Sequence, residues 1–189
     1  MRARRSVRSD EGVTMMELLV YTILGSLVLI IVGSLVINGL RGQESVTAIT
    51  TATTQAQLAA STIQTDVRNS SAIRVTVIGN DQLVVARVAR GGDAAIVWKC
   101  VAWYYSATTK EIRTKTSSAA ITAPSVSGLT SWSLIASKVK PTTSGAAVFT
   151  GDAKQLSMTF TVDAGSTKPV PVTSSATSRN QTGVSSPCF

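Results

Sequence analysis

An unbroken apolar run near the amino end constrains this chain more than any other feature. Residues 18–40, LLVYTILGSLVLIIVGSLVINGL, contain no charged side chain. A helix rises about 1.5 Å per residue, so a helix of this length spans the roughly 30 Å hydrocarbon core of a bilayer. The run therefore predicts one membrane-spanning helix.

The charges on either side of the run predict its orientation. Four arginines precede the run, whereas after Arg41 the next basic residue is Arg68. The positive-inside rule places the amino end in the cytoplasm and the bulk of the chain outside. The run is longer than the apolar part of a secretory signal, and no small-residue cleavage site follows it closely, so we expect it to remain as an anchor.

Composition and motifs argue against catalysis. The chain has no histidine, which is the commonest general base and metal ligand. It also lacks a Gly-x-Ser-x-Gly elbow, a phosphate-binding loop and a paired acidic cluster. Two cysteines cannot form a four-cysteine zinc site, and Gly151, Asp152 and Asp163 offer too few ligands for a calcium loop. We expect no enzymatic activity, no catalytic residue, no metal and no cofactor.

A short motif lies directly before the apolar run. Residues 10–17, DEGVTMME, join the basic leader to the run. This junction resembles the class III signal of type IV pilins and pseudopilins, in which a basic leader ends in Gly and the mature chain starts with an apolar residue and has Glu fifth. Gly12 matches the last leader residue and Val13 the first mature one, while Thr14 and Glu17 match the second and fifth.

The resemblance implies processing and assembly. A membrane-embedded prepilin peptidase would cut between Gly12 and Val13 on the cytoplasmic side, and the new amine of Val13 would be methylated. The Glu17 carboxylate would pair with the free amine of a neighbouring subunit's first residue and align the helices during filament assembly. The alternative is that Glu17 only snorkels at the bilayer interface, helped by the positive end of the helix dipole.

A helical pattern continues beyond the apolar run. Small and apolar residues recur in steps of three and four and form a narrow seam: Val46, Ile49, Thr53, Ala56, Ala60, Ile63 and Val67. This spacing predicts a helix face that packs on a sheet or on another helix. No proline occurs before Pro124, so one helix can run from about Thr14 to Ser70, with Arg41 and Gly42 as a soft point.

The remainder of the chain is typical of β-structure. β-rich or alternating runs predict strands at 72–77, 82–88, 95–106, 111–116, 155–162 and 170–175, with a short one near 132–135. Turn residues at 78–81 and 107–110 predict hairpins. Residues 117–147, rich in Ser, Thr, Ala and Gly, predict a variable loop region.

Together these elements predict an α+β fold. A long amino-terminal transmembrane and amphipathic helix would pack on one face of a carboxy-terminal antiparallel β-sheet, which is the pilin-like architecture that the resemblance implies. The predicted parts are a cleaved basic leader, a transmembrane or filament-core helix, its amphipathic continuation and an extracytoplasmic β-sheet domain, at residues 1–12, 13–40, 41–70 and 71–189.

Looser similarities favour one branch of the family. Residues 66–69 at the helix exit, residues 103–105 followed by Ile112 and Arg113, and residues 178–180 resemble the minor pilin PilW and its pseudopilin relatives. Many major pilins have a proline inside the apolar helix, and this chain has none. That departure also favours a minor subunit.

The two cysteines predict a single staple. Cys100 lies in the middle of a predicted strand and Cys188 is next to last in the sequence. On an extracytoplasmic domain an even pair indicates a disulfide, and pilins often staple a carboxy-terminal loop in this way. The alternative is a buried Cys100 and a free surface thiol at Cys188.

Positive charge is concentrated on the distal part of the chain. Residues 69–189 hold twelve Lys and Arg against five Asp and Glu, so they contribute +7 to the net charge of +8. Only Lys110, Arg113 and Lys115, near the aromatic residues 103–105, combine charge with aromatics as a DNA-binding surface would. We expect these aromatics to belong to the core and the cations to a solvated rim, with DNA binding as the alternative.

We therefore expect a structural subunit, a minor pilin, of a type IV pilus or related filament. Its partners would be other pilin subunits, the prepilin peptidase, the inner-membrane assembly platform and, before assembly, the membrane. The chain would cross the cytoplasmic membrane once and later reach an extracellular filament at the cell surface. The alternatives are a type II secretion pseudopilin, and a signal-anchored surface protein that binds DNA or another ligand.

Overall fold

A computed structural model describes residues 14–92, 95–125, 127–165, 167–179 and 187–189. Within these ranges one long helix, α1 (Met15–Arg68), precedes nine strands and a short 3-10 helix (Ser127–Ser131). The strands are β1 (Ser70–Ile78), β2 (Asp81–Gly92), β3 (Ala95–Ser106), β4 (Glu111–Ser117), β5 (Ser133–Ala136), β6 (Val139–Pro141), β7 (Phe149–Gly151), β8 (Gln155–Val162) and β9 (Val170–Thr177). Gly12 and Val13, the predicted cleavage site, lie outside the described residues.

Helix α1 continues without a break through the predicted soft point at Arg41 and Gly42. It ends at Arg68, two residues before the predicted limit, because Ser70 already belongs to β1. The Ser70 hydroxyl donates to the carbonyl of Val67 at 2.7 Å and satisfies one of the last helical acceptors.

The chain divides into two units, residues 1–44 and 45–189. In the described part of the first unit every side chain is exposed, including the whole apolar run. The helix is long and apolar enough to cross a membrane. A bilayer would cover the apolar surface that this unit leaves uncovered.

In the second unit, the end of α1 packs on the sheets through small side chains. The buried apolar residues of the helix are Ala52, Ala56, Ala59, Ile63 and Val67. The predicted seam is wrong at its start, since Val46 and Ile49 are exposed and Ala60 is only half-buried. The contact begins later along the helix and relies on alanine, whose small side chain allows the backbone to approach the sheets closely.

Two antiparallel sheets replace the single predicted sheet. Sheet A is a meander in the order β1-β2-β3-β4-β5, and in sheet B the central strand β8 pairs with β6, β7 and β9. Sequence patterns missed β6 and β7 because a strand of three residues has no measurable alternation. Through its pairing with β8, β6 turns part of the predicted loop region into sheet B, whereas β7 follows that region.

One core joins α1 to both sheets. Sheet A contributes alternate residues such as Val84, Val101 and Trp103, and β8 contributes Leu156, Met158, Phe160 and Val162. The period of two on β8 matches its predicted alternation and buries every second side chain. The coarse expectation of a long amino-terminal helix followed by antiparallel β-structure is confirmed.

The buried side chain of Gln82 links the two sheets directly. It lies on β2 and is 4% exposed. Its Oε1 accepts the backbone N–H groups of Val148 and Phe149 at 2.9 and 2.8 Å, and its Nε2 donates to the Phe149 carbonyl at 3.4 Å. A single amide therefore satisfies the buried backbone where β7 begins.

Candidate functional site

Glu17 lies in the first turn of α1 and is held by two neighbours. Its backbone N–H donates to the Thr14 hydroxyl at 3.3 Å, and its Oε1 accepts the Tyr21 hydroxyl at 2.9 Å. The spacing Thr-x-x-Glu is that of a capping box, in which the Thr side chain satisfies a free N–H of the first turn. Thr14 and Glu17 therefore start the helix together.

Sequence reasoning missed the Tyr21 contact, although its spacing was available. Tyr21 follows Glu17 by four residues, which places the two side chains on the same face of the helix. The carboxylate stays exposed and lies at the start of the apolar helix. It can accept a further charge-assisted hydrogen bond from an ammonium group of another chain.

Cys100 and Cys188 form a disulfide, as predicted from the sequence. The S–S distance is 2.02 Å and the Cα atoms are 5.4 Å apart. Both cysteines are buried in a second apolar cluster on the outer face of sheet A, with Leu83, Val85, Ala102, Tyr104, Ile121, Leu129 and Trp132. Ile121, Leu129, Trp132 and Cys188 thus cover part of the face of sheet A that points away from α1.

The expectation that the aromatic residues 103–105 belong to the core is confirmed. Trp103, Tyr104 and Tyr105 are all buried and alternate between the two clusters. Arg113 pairs with Glu111 at 2.8 Å and donates to the carbonyls of Leu129 and Trp132. These aromatics belong to the core, so they offer no ring on which a base could stack.

Tyr104 anchors one end of sheet A. Its hydroxyl donates to Asp81 Oδ2, and Asp81 Oδ1 accepts the Ala107 N–H at 2.8 Å. Burial, and then the hydrogen bond and charge of Asp81, raise the pKa of Tyr104 to about 12. The phenol is therefore protonated, and remains a donor, at any physiological pH.

An ion pair with a buried carboxylate ties the end of α1 to β2. Arg90 Nη2 lies 2.7 Å from Asp66 Oδ1 and 2.8 Å from Oδ2. The Asp66 side chain is 6% exposed, whereas that of Arg90 is 50% exposed. Burial raises the pKa of Asp66, and the nearby Arg90 charge offsets only part of that effect.

We expect this pair to give the protein a distinct pH dependence. The folded chain holds the Asp66 proton more tightly than the unfolded chain does, because the pKa of Asp66 is near 3.8 in the unfolded chain and higher in the folded one. The free energy of unfolding should therefore decrease as pH rises from below 3.8 through the higher folded-state pKa. In Asp66→Asn this pH-dependent part of the free energy of unfolding should disappear, as measured by urea unfolding at a series of pH values.

Asp152 provides the matched control for that experiment. Its carboxylate accepts the backbone N–H groups of Lys154 and Gln155, which lowers the pKa of Asp152. Its contribution has the opposite sign and is lost as pH falls. If Asp66→Asn and Asp152→Asn change the pH profile in the same direction, the assignment of Asp66 is wrong.

Within the described ranges, no three His, Cys, Asp or Glu side chains come together as a metal site would require. Asp163 pairs with Lys140 at 2.9 Å and accepts the Gly165 N–H.

A cavity of about 490 Å³ opens beside Lys140 and is also lined by Lys110, Tyr105 and Asn80. Its charged lining groups are thus both lysines, and one of them already has a carboxylate partner.

Comparisons with protein-family models, with curated proteins and with solved structures found no match. The function must therefore be argued from the residues of this chain and their contacts.

Proposed function

We propose that this chain is a structural subunit, a minor pilin, of a type IV pilus or related filament, processed after Gly12 and assembled through its amino-terminal helix. The observation that carries the proposal is the junction at residues 10–17. A basic leader, a glycine, an apolar residue and an acidic fifth position are followed at once by an apolar helix.

The fold gives the proposal further support. A single helix runs from Met15 to Arg68, so one element includes both the apolar run and the part that packs on the sheets. Antiparallel sheets and a disulfide between Cys100 and Cys188 are consistent with a pilin-like layout. A plain membrane anchor needs none of these features beyond the apolar helix.

The contacts of Thr14 and Glu17 support the roles that we propose at the junction. Thr14 caps the helix, so the first turn is formed next to the proposed cleavage site. Tyr21 gives the Glu17 carboxylate a neutral partner while the subunit is still in the membrane. In the filament, the methylated amine of Val13 from a neighbouring subunit would supply the positive charge that Glu17 lacks within its own helix.

The same residues define where the protein would act. The subunit would first cross the cytoplasmic membrane with its amino end in the cytoplasm, in contact with the prepilin peptidase and the assembly platform. It would then leave the bilayer for the filament at the cell surface, where the second unit of the chain would be available to the outside. A type II secretion pseudopilin would share every one of these steps.

Processing provides the direct test. We expect protein recovered from membranes or sheared filaments to begin at Val13 and to carry one methyl group, as measured by intact mass and amino-terminal sequencing. The Gly12→Val variant should retain the leader and serves as the control. A parent chain that keeps residues 1–12 in cells with an active prepilin peptidase would contradict the proposal and favour a signal-anchored surface protein.

A further inference from the structure

The outer face of sheet A carries a row of cations that lie over aromatic rings. The contacts are Arg74 over Phe189 at 4.3 Å, Arg87 over Trp98 at 4.5 Å and Lys115 over Trp132 at 5.9 Å. Strand register places all three cations on the same face as the disulfide: Arg74 is opposite Val85, Lys115 is opposite Ala102, and Arg87 is opposite Cys100. We call the part formed by Arg74, Arg87, Trp98 and Phe189 the arginine face.

Arg74 and Arg87 are close enough to hold one ligand together. Arg74 pairs with Val85, and Arg87 is two residues farther along the same strand. Such diagonal neighbours in an antiparallel pair are about 7–8 Å apart. Two guanidinium groups at this spacing can bind adjacent anionic groups.

Neither guanidinium is neutralised within the described part of the chain. The ion pairs found there involve Arg90, Arg113 and Lys140. Arg74 is exposed, and the buried Nε of Arg87 has no hydrogen-bond acceptor among these residues. The terminal nitrogens of both side chains therefore keep their donors for an external anion.

The aromatic partners remain partly accessible. Phe189 is 36% exposed and Trp98 is half-buried, in contrast to Trp132 and to residues 103–105, which are buried. Phe189 directly follows Cys188, so the disulfide to Cys100 fixes this ring beside Arg74. The disulfide therefore positions one of the two aromatic rings of the arginine face.

We propose that the arginine face binds a single strand of nucleic acid, with phosphates at Arg74 and Arg87 and bases stacked on the faces of Phe189 and Trp98 that the two guanidinium groups do not cover. Guanidinium forks match phosphate oxygens in pairs, and partly exposed rings offer stacking to any base. An anionic membrane or a sulfated polysaccharide supplies the charge but no planar bases for these rings. This binding does not depend on filament assembly.

Fluorescence anisotropy with a labelled oligothymidine tests the proposal on the full chain in zwitterionic detergent micelles. The double variant Arg74→Ala, Arg87→Ala should bind about tenfold more weakly at physiological salt. The slope of log affinity against log salt should become shallower by about 1.4 when two phosphate contacts to a single strand are lost. Phe189→Leu should weaken binding without changing that slope.

The matched control is Lys154→Ala, Lys168→Ala, which removes the same charge from exposed positions near β8 and β9. We expect this variant to keep the parent slope. A parent chain that does not bind the oligonucleotide overturns the proposal, as does an equal loss in the control. Equal binding to heparin or to anionic vesicles would overturn the assignment to nucleic acid, and the measurement on the parent does not require any variant to fold.

Discussion

Replacing Cys188 with serine should lower the free energy of unfolding by about 4–5 kcal/mol, which is the value that the chain-entropy model gives for a loop of this length. The disulfide joins residues 88 positions apart, so without it the unfolded chain gains the entropy of a very large open loop. Urea unfolding of the parent and of the variant measures the difference.

Reduction supplies an independent control for that experiment. The parent treated with a thiol reductant should lose the same free energy, whereas a Cys100→Ser, Cys188→Ser double variant should not respond to the reductant. A loss below about 1 kcal/mol would contradict the chain-entropy account and indicate that the unfolded chain keeps Cys100 and Cys188 close together without the bond.

Replacing Glu17 with leucine should abolish incorporation into filaments while leaving the chain in the membrane. Leucine makes the start of α1 more apolar and favours the bilayer, but it removes the carboxylate that would pair with the amine of a neighbouring Val13. We expect the variant to fall to background in sheared filaments, measured by immunoblotting against the membrane fraction in cells that express the parent machinery.

Two variants separate the charge of Glu17 from its other contacts. Tyr21→Phe removes the hydroxyl that donates to Glu17 but keeps the carboxylate, so we expect incorporation to persist. Thr14→Val removes the hydroxyl that accepts the Glu17 N–H and should cost only about 1 kcal/mol of helix stability. Incorporation of Glu17→Leu at the parent level would rule out a pairing role for this carboxylate.

Strong local patterns made much of the fold predictable. The apolar run and the lack of proline predicted α1, and the predicted bounds of β3 and β8 match the structure because their composition and alternation are pronounced. The strands β6 and β7 could not be found in this way, since three-residue strands exist only through their pairing with β8. Tertiary pairing decided these elements.

The contacts at the candidate sites were also predictable from the sequence only in part. The disulfide was predictable from two cysteines, whereas the pair between Asp66 and Arg90 joins residues 24 positions apart with no local signal. The aromatic residues 103–105 illustrate the limit of composition, because strand alternation buries them on both faces. The more exposed cation–aromatic contacts form instead between β1 and Phe189 and between β2 and β3, where strand pairing brings residues together that have no local sequence signal.

The order of the strands also determines which part of the chain can fold first. Every strand of sheet A pairs with its neighbour in sequence, so the pairings of this sheet are local along the chain and can form early. If the chain emerges amino end first, Cys100 lies on a finished sheet long before Cys188 arrives. Oxidation is then the closing event, and a chain whose thiols are still reduced does not yet have Phe189 fixed beside Arg74 by the disulfide.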